Sequence, residues 1–173
     1  MRIPCGKHKD KSVEWVVLKD PSYIQWVLNE PSPRGWLISF KQETLRLISI
    51  FDRKPFFKQC SRPDCGGIAT RASLRKDNPK PMWWCDRCNP YDLILAPERI
   101  RIIYGYVEAL LHIKHVCGGR KGDLNYLIHA LAEAKGLPRR VGEKQARGFF
   151  ELNLHCGVLT DEQSTNLWNR YTI

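Results

Sequence analysis

Four cysteines lie in an irregular stretch near the middle of the chain, where apolar residues are scarce. Cys60 and Cys65 are separated by four residues, Cys85 and Cys88 by two, and nineteen residues lie between the two pairs. Two short-spaced pairs joined by a loop of hairpin length are typical of a tetrahedral thiolate site, because each pair supplies two ligands from one tight turn. The pattern predicts a metal ion bound by all four cysteines.

Zn²⁺ is the expected metal, because four thiolates in a closed shell suit a soft, redox-inert d¹⁰ cation. An iron–sulfur cluster is the alternative, although the cysteines do not form a cluster-type run. A closed four-thiolate site leaves no coordination position for water, so one structural Zn²⁺ is predicted rather than a catalytic one. The metal would take the place of an apolar core, since its binding contributes on the order of 10 kcal/mol to folding such sites.

The first residues, "MRIPCGKHKDKSVEW", lack the apolar region of a signal peptide, and no stretch approaches the roughly 20 apolar residues of a membrane span. A cytoplasmic protein with no membrane partner is therefore expected. In that compartment the chain's seven cysteines are expected to be reduced or metal-bound rather than paired in disulfides.

The helical and irregular stretches divide the chain into three parts. We predict an N-terminal basic helical module over residues 1–54, a four-cysteine zinc lobe over 55–92, and a C-terminal four-helix bundle over 93–173. The expected fold class is mainly α, with a small zinc-bound β-hairpin lobe of the zinc-ribbon or treble-clef type and a C-terminal helical bundle.

Local signals place the elements within these parts. Asp20 and Pro21 predict a helix N-cap and first position, and a second helix is predicted from about Ser39 to Phe51. The segments "IATRASL" and "PMWWC" predict a hairpin around "KDNPKP". A long helix is predicted to begin at Pro97, in "PERIRIIYGYVEALLHIKHV", and the later helices in "DLNYLIHALAEAK", "GEKQARGFFELNLH" and "TDEQSTNLWNRY".

The chain carries a formal net charge of +10, which indicates a polyanionic partner unless the charge serves only solubility. Basic and aromatic residues are interleaved around the four cysteines. Cationic groups can neutralise phosphates while exposed rings stack on bases, so a nucleic-acid surface is predicted here. In the alternative interpretation, one tryptophan packs beneath the metal and the basic residues are only solvated. The candidate contacts are Arg62, Arg71, Arg75, Lys76, Lys80, Trp83, Trp84 and Arg87.

A second basic cluster precedes the first helix. Lys7, Lys9 and Lys11 lie beside Gly6, which permits a tight turn, so this cluster is a second candidate phosphate contact or else a solvated face. The wider pattern resembles the small module at the C-terminus of exodeoxyribonuclease X and related phage and bacterial proteins. That pattern comprises Pro4, Gly6, Lys7, His8, Lys9, Lys11, Ser12, Val13, Asp20, Pro21, Tyr23, Ile24 and Trp26.

The resemblance covers only residues 3–30. Cys5 stands where a phenylalanine is common in the module, and Asp10 where a glycine is common. The resemblance implies association with DNA-processing proteins, with the basic turn as the contact. It does not imply nuclease activity, because the acidic metal-binding residues of that enzyme belong to a separate domain.

The order of helix, glycine-containing turn and basic helix in "LIHALAEAKGLPRRVGEKQARGFFEL" is compatible with a DNA-binding helix-turn-helix. Arg139, Arg140 and Lys144 would then contact nucleic acid. The same order describes any pair of antiparallel helices.

A non-enzymatic, zinc-containing nucleic-acid-binding protein is the leading hypothesis, with DNA favoured over RNA as the ligand. Such a protein could act with other protein subunits in a larger nucleoprotein complex, for example an antiviral defence complex of the CRISPR type. A protein-interaction adaptor with a structural zinc site and a helix-turn-helix regulator are the alternatives. An enzyme is not expected, because the eighteen acidic residues are scattered and no open metal-binding motif is present.

Overall fold

The structure is a computed structural model, and it describes residues 1–88, 90–92, 99–118 and 120–151. Six helices and one three-stranded antiparallel sheet lie within these ranges. The elements are α1 (Val13–Lys19), α2 (Pro21–Asn29), α3 (Trp36–Arg53), β1 (Arg71–Arg75), β2 (Asn78–Trp84), β3 (Ile100–Ile103), α4 (Tyr106–Cys117), α5 (Lys121–Ala134) and α6 (Glu143–Glu151).

Side-chain caps fix the starts of the first two helices. Ser12 Oγ accepts a hydrogen bond from the backbone N–H of Trp15 at the start of α1. Asp20 Oδ1 accepts one from the N–H of Tyr23, and Pro21 occupies the first position of α2, which confirms the predicted helix start. Helix α3 is longer than predicted, with Phe40, Leu47 and others on its buried face.

The N-terminal turn closes on itself before α1. The N–H of Ile3 donates to the carbonyl of Lys11 at 3.0 Å, and the N–H of Asp10 donates to the carbonyl of Ile3 at 2.8 Å. Asp10 has a φ of 64°, in the left-handed region that glycine adopts most readily and that aspartate tolerates. An aspartate therefore forms the turn at the position where the exodeoxyribonuclease X module commonly has glycine.

The predicted hairpin is present, although its turn is shorter than expected. Strand β1 pairs antiparallel with β2 through a turn at Lys76 and Asp77, and the strand order is β2-β1-β3. Pro79 and Pro81, which the sequence analysis placed in the turn, lie within β2. They are tolerated there because β2 is an edge strand of this sheet.

The prediction of a single long helix from Pro97 is wrong over residues 100–103. Ile100, Ile102 and Ile103 belong to β3, which pairs with β1, and helix α4 begins only at Tyr106. Branched side chains at consecutive positions fit a pleated strand better than a helix. The C-terminal part therefore contributes a strand to the sheet that carries the hairpin. The fourth predicted helix, from Thr160 onwards, lies outside the described residues.

One continuous hydrophobic core joins the helices to the sheet, with buried residues from Ile3 to Phe150. Tyr106 is fully buried, and its hydroxyl donates to the carbonyl of Val17 at 2.6 Å, which ties α4 to α1. Lys135, also buried, donates to the carbonyls of Asp52 and Lys54 at 3.2 and 2.6 Å and so caps the end of α3. Burial lowers the pKa of Lys135 to about 8.

Among the described residues, no helix combines the length and the apolar character that crossing a membrane would require.

Candidate metal centre and basic surface

The four cysteines lie in two loops on either side of the hairpin. Cys60 and Cys65 precede β1, and Cys85 and Cys88 directly follow β2. Backbone hydrogen bonds hold the loops together: the N–H of Cys60 donates to the carbonyl of Gly67 at 2.9 Å, and the N–H of Ser61 donates to the carbonyl of Trp83 at 2.7 Å. The hairpin therefore brings the two cysteine pairs to one end of the sheet.

The four sulfur atoms form one cluster. All of them lie within 4.8 Å of one another, and Cys65 Sγ is 3.7 Å from Cys85 Sγ and 3.5 Å from Cys88 Sγ. Three of the side chains are buried and that of Cys65 is half-buried. These four cysteines, which are the predicted set, could hold a metal ion.

Backbone groups in the loops favour the thiolate form of two ligands. Burial opposes ionisation of Cys60, but hydrogen bonds from the backbone N–H groups of Arg62 and Cys85 outweigh it and lower the pKa of Cys60. The pKa of Cys85 is lowered in the same way by the N–H of Arg87, again against burial. Burial and the neighbouring thiols raise the pKa of Cys88, because adjacent sulfurs do not all ionise without a cation between them.

Gly67 packs directly against the sulfur cluster. A Cβ atom at Gly67 would lie 3.1 Å from Cys85 Sγ and 3.5 Å from Cys65 Sγ, whereas a Cβ at Gly66 would meet nothing within 4 Å. A side chain at residue 67 would therefore require the sulfur of Cys85 or the chain to shift by a few tenths of an ångström.

Trp84 lies beneath the four cysteines and is fully buried. Its indole N–H donates to Ser73 Oγ at 2.7 Å. The prediction that Trp84 contacts nucleic acid is wrong for this structure, because no face of its ring is exposed to stack on a base. It matches instead the alternative in which one tryptophan packs beneath the metal. Trp83 is half-buried, and its ring packs on Phe56 at a centroid distance of 5.5 Å.

Arg71 points toward the second cysteine loop rather than toward solvent. Its Nη2 donates to the carbonyls of Cys85, Asp86 and Cys88 at 3.4, 3.5 and 3.3 Å. Its Nε is buried without a hydrogen-bond partner. The predicted nucleic-acid contact at Arg71 is therefore corrected: the side chain is half-buried and contacts the backbone from Cys85 to Cys88.

The other predicted cations of the zinc lobe are exposed. They are Arg62, Arg75, Lys76, Lys80 and Arg87. Arg62 and Arg87 come from different cysteine loops and line one surface groove, together with Asp64, Cys65 and Cys88. The structure therefore brings one arginine from each loop to the rim of the candidate metal centre.

Two of the three predicted N-terminal lysines have acidic partners. Lys7 and His8 both contact Asp20 Oδ2, the latter through Nε2 at 3.0 Å. Burial opposes ionisation of Asp20, but its hydrogen bonds with Lys7 and His8 prevail and lower its pKa. Lys11 forms an ion pair with Glu143 at 3.3 Å. Lys7 is thus paired within the N-terminal module and Lys11 pairs with α6, whereas Lys9 is exposed.

The C-terminal candidates lie apart from the cysteine loops in the sequence. Arg139 and Arg140 are exposed in the connection between α5 and α6, and Lys144 is exposed in the first turn of α6. Helix α6 buries Phe149 and Phe150 against the core.

An exposed aromatic residue that the sequence analysis did not select lies just before the first cysteine. Phe57 is 67% exposed, and Ile68, across the loop from it, is 56% exposed. The sequence signal was only the pair of phenylalanines before Cys60, and nothing in it distinguished the buried Phe56 from the exposed Phe57.

Comparison of the chain with models of protein families, with curated proteins and with solved structures finds no match.

Proposed function

We propose that the chain is a non-enzymatic zinc protein that binds nucleic acid on the surface formed by its two cysteine loops. The observation that carries the proposal is the coincidence of two features: a cluster of four thiols and a groove at its rim with an arginine from each loop. The metal centre fixes the loops, and the loops present the cations.

Zinc fits the donor set. A Zn–S distance of about 2.3 Å in a tetrahedron gives sulfur–sulfur edges of about 3.8 Å, close to the 3.7 and 3.5 Å found from Cys65 to Cys85 and Cys88. Four thiolates close the coordination shell, so the ion would hold the loops and supply no reactive position. Arg71 and Gly67 then act as positioning residues. Arg71 holds the backbone carbonyls of the second cysteine loop, and Gly67 packs against the sulfur of Cys85.

The groove is suited to phosphate. Each arginine lies two positions after a cysteine of the cluster. The backbone N–H of Arg62 donates to the sulfur of Cys60, and the backbone N–H of Arg87 donates to the sulfur of Cys85. The backbones of both arginines are thus tied to the metal centre while their side chains are exposed. Guanidinium groups bind phosphate oxygens in bidentate geometry, and a tied backbone limits the range over which the two side chains can reach.

The remaining features of the chain are consistent with a component of a larger assembly. DNA is favoured over RNA because the first thirty residues resemble a module of DNA-processing proteins. The lysines of that module, Arg139, Arg140 and Lys144 would contribute further phosphate contacts. We place the protein in the cytoplasm, as a subunit of a nucleoprotein complex, for example of the CRISPR type.

Salt-dependent binding tests the proposal. The zinc-loaded chain is titrated into labelled single-stranded DNA, duplex DNA and RNA between 50 and 200 mM salt. Each phosphate contact contributes about 0.7 to 0.9 to the slope of log affinity against log salt. The double variant Arg62→Gln/Arg87→Gln should bind more weakly and lower that slope by about 1.5 to 2.

The matched control is Arg34→Gln, which removes one exposed charge from the loop before α3. It should leave the slope nearly unchanged. Zinc content and circular dichroism confirm that each variant is folded. Failure of the wild-type protein to bind any of the three nucleic acids at 50 mM salt would overturn the proposal and favour an acidic protein partner. If the double variant and the control have the same slope of log affinity against log salt, the groove is not the nucleic-acid contact.

A further inference from the structure

The first cysteine loop contains a small antiparallel ladder with one exposed face. Gln59 and Ile68 are paired, the N–H of Cys60 donates to the carbonyl of Gly67 at 2.9 Å, and that of Ala69 donates to the carbonyl of Lys58 at 2.8 Å. These hydrogen bonds flank the Gln59–Ile68 pair, whose side chains therefore lie close together on one side of the ladder.

Phe57 lies on that same side. Side chains alternate along an extended chain, so a residue two positions before Gln59 faces the direction that Gln59 faces. Phe57 and Ile68 are then diagonal neighbours, with backbones about 7 Å apart. Both are more than half exposed. The two side chains are therefore expected to form an exposed apolar patch, the Phe57–Ile68 patch, on this side of the ladder.

The backbone of Phe57 is held in place. Its N–H donates to the carbonyl of Ala134, at the end of α5, at 2.7 Å. The ring of Phe57 lies against Gly136: a Cβ atom added to this glycine would lie 3.3 Å from Cε2 of the ring. Phe57 is thus supported by the helical part of the molecule while most of its ring is open to solvent. An aromatic ring fixed in this way loses little conformational entropy when a ligand covers it.

The patch is connected to the cationic groove. Thr70, the next residue of the ladder on this face, donates from Oγ1 to Asp86 Oδ1 at 2.7 Å, and Arg87 follows Asp86 in the second cysteine loop. Lys58 is also exposed, although alternation along the chain directs it to the other side of the ladder. The ladder that carries the aromatic ring is therefore tied to the cysteine loop that carries Arg87.

We propose that the Phe57–Ile68 patch binds an unpaired base, so that the ligand of this surface is single-stranded nucleic acid. The inference rests on the proposed function and narrows it. Bases inside a duplex stack on one another and have no free face for Phe57, whereas unpaired bases stack on aromatic rings while their phosphates reach nearby cations. The charge of the lobe, seven basic and three acidic side chains over residues 56–90, favours this polyanion over an apolar peptide as the occupant.

The test compares a single strand with the duplex of the same sequence, using the full zinc-loaded chain and fluorescence anisotropy. The wild type should bind the single strand more tightly. Phe57→Leu keeps an apolar side chain but removes the stacking face, and it should weaken single-strand binding by roughly 5- to 100-fold. Its salt slope should not change, because no charge is lost, and Phe57→Trp should retain the affinity.

Tyr126→Leu is the matched control, since Tyr126 is a 48% exposed aromatic residue on α5.

A second measurement needs no variant: an oligonucleotide with 2-aminopurine should show quenched fluorescence when its base stacks on Phe57. Equal affinity of the wild type for both ligands, or unchanged single-strand binding in Phe57→Leu, would overturn the stacking proposal. If Arg62→Gln/Arg87→Gln still weakens binding in that case, the proposed function stands. Absence of binding to every nucleic acid would overturn both.

Discussion

Replacing Gly67 with alanine should weaken metal binding, because the new methyl group would press on a ligand atom. The added Cβ would lie 3.1 Å from Cys85 Sγ and 3.2 Å from Cys85 Cβ. Contacts this short are tighter than most real Cβ contacts, so the sulfur or the chain would have to move by a few tenths of an ångström. Metal–ligand distances in protein sites lie within about 0.2 Å of their standard values, so a shift of this size is comparable with the whole permitted range.

The size of the effect follows from the cost of overpacking. Added methyl groups in well-packed sites cost about 1–3 kcal/mol. With the proposed Zn²⁺ bound, metal binding and folding of the lobe would be coupled, and that cost is expected to lower the affinity for Zn²⁺ by roughly 5- to 150-fold. Neither Gly66 nor Gly67 has a positive φ, so alanine causes no backbone strain at either position. The loss of conformational entropy in the unfolded chain is also similar for the two substitutions. The difference between the two variants therefore isolates the contact with the sulfur.

The assay is competition for Zn²⁺ with a chromophoric chelator, at fixed pH, for the wild type, Gly66→Ala and Gly67→Ala. Gly66→Ala, with open space around its new methyl group, should remain within about threefold of the wild type. Equal affinities for the two variants would refute the reasoning, since they would mean that the chain does not pack against Cys85 Sγ. Urea unfolding of the zinc-loaded proteins should rank them in the same order.

Two further predictions concern the groups that support the site and the core. Arg71→Met removes the donor to three carbonyls of the second cysteine loop and should lower Zn²⁺ affinity by roughly 5- to 30-fold. Arg75→Met, at the exposed end of the same strand, should lower nucleic-acid affinity and leave Zn²⁺ affinity nearly unchanged. Similar Zn²⁺ affinities in the two variants would contradict a supporting role for Arg71 at the cysteine cluster. Burial raises the pKa of Asp52 to about 6 despite a hydrogen bond from the N–H of Tyr106. The folded state therefore favours the protonated acid, and the free energy of unfolding should fall by about 1–3 kcal/mol as the pH rises from about 4 to 6. Asp52→Asn should lack this fall in urea titrations, and parallel curves for the two proteins would show that the carboxyl group is not buried as described.

Local patterns predicted the parts of this protein that depend on neighbouring residues. The spacing of Cys60, Cys65, Cys85 and Cys88 predicted their convergence, because a tight turn brings the members of each pair together and a hairpin joins the pairs. The start of α2 was predicted from Asp20 and Pro21, whose capping geometry is formed within one turn of helix.

Pairing across the sheet could not be predicted in the same way. The isoleucines of β3 were assigned to a helix because their run continues into α4, and only the partner strand β1 decides otherwise. Trp83 and Trp84 are adjacent in the sequence, yet alternation along β2 buries one beneath the cysteines and leaves the other half-exposed. The face on which each side chain lies is set by register, which sequence composition does not encode.

The sequence by itself determined that a cluster of thiols would form and that the chain would carry a large positive charge, since both follow from residue type and short-range spacing. Only the tertiary structure decided which charges face solvent. Arg71 is half-buried and donates to loop carbonyls, whereas Lys7, which contacts Asp20, remains exposed, as do Arg62, Arg87 and the ring of Phe57. The physical reason is that a polar group is costly to bury unless it is hydrogen-bonded, and the carbonyls that accept from the half-buried Arg71 belong to residues distant from it in sequence.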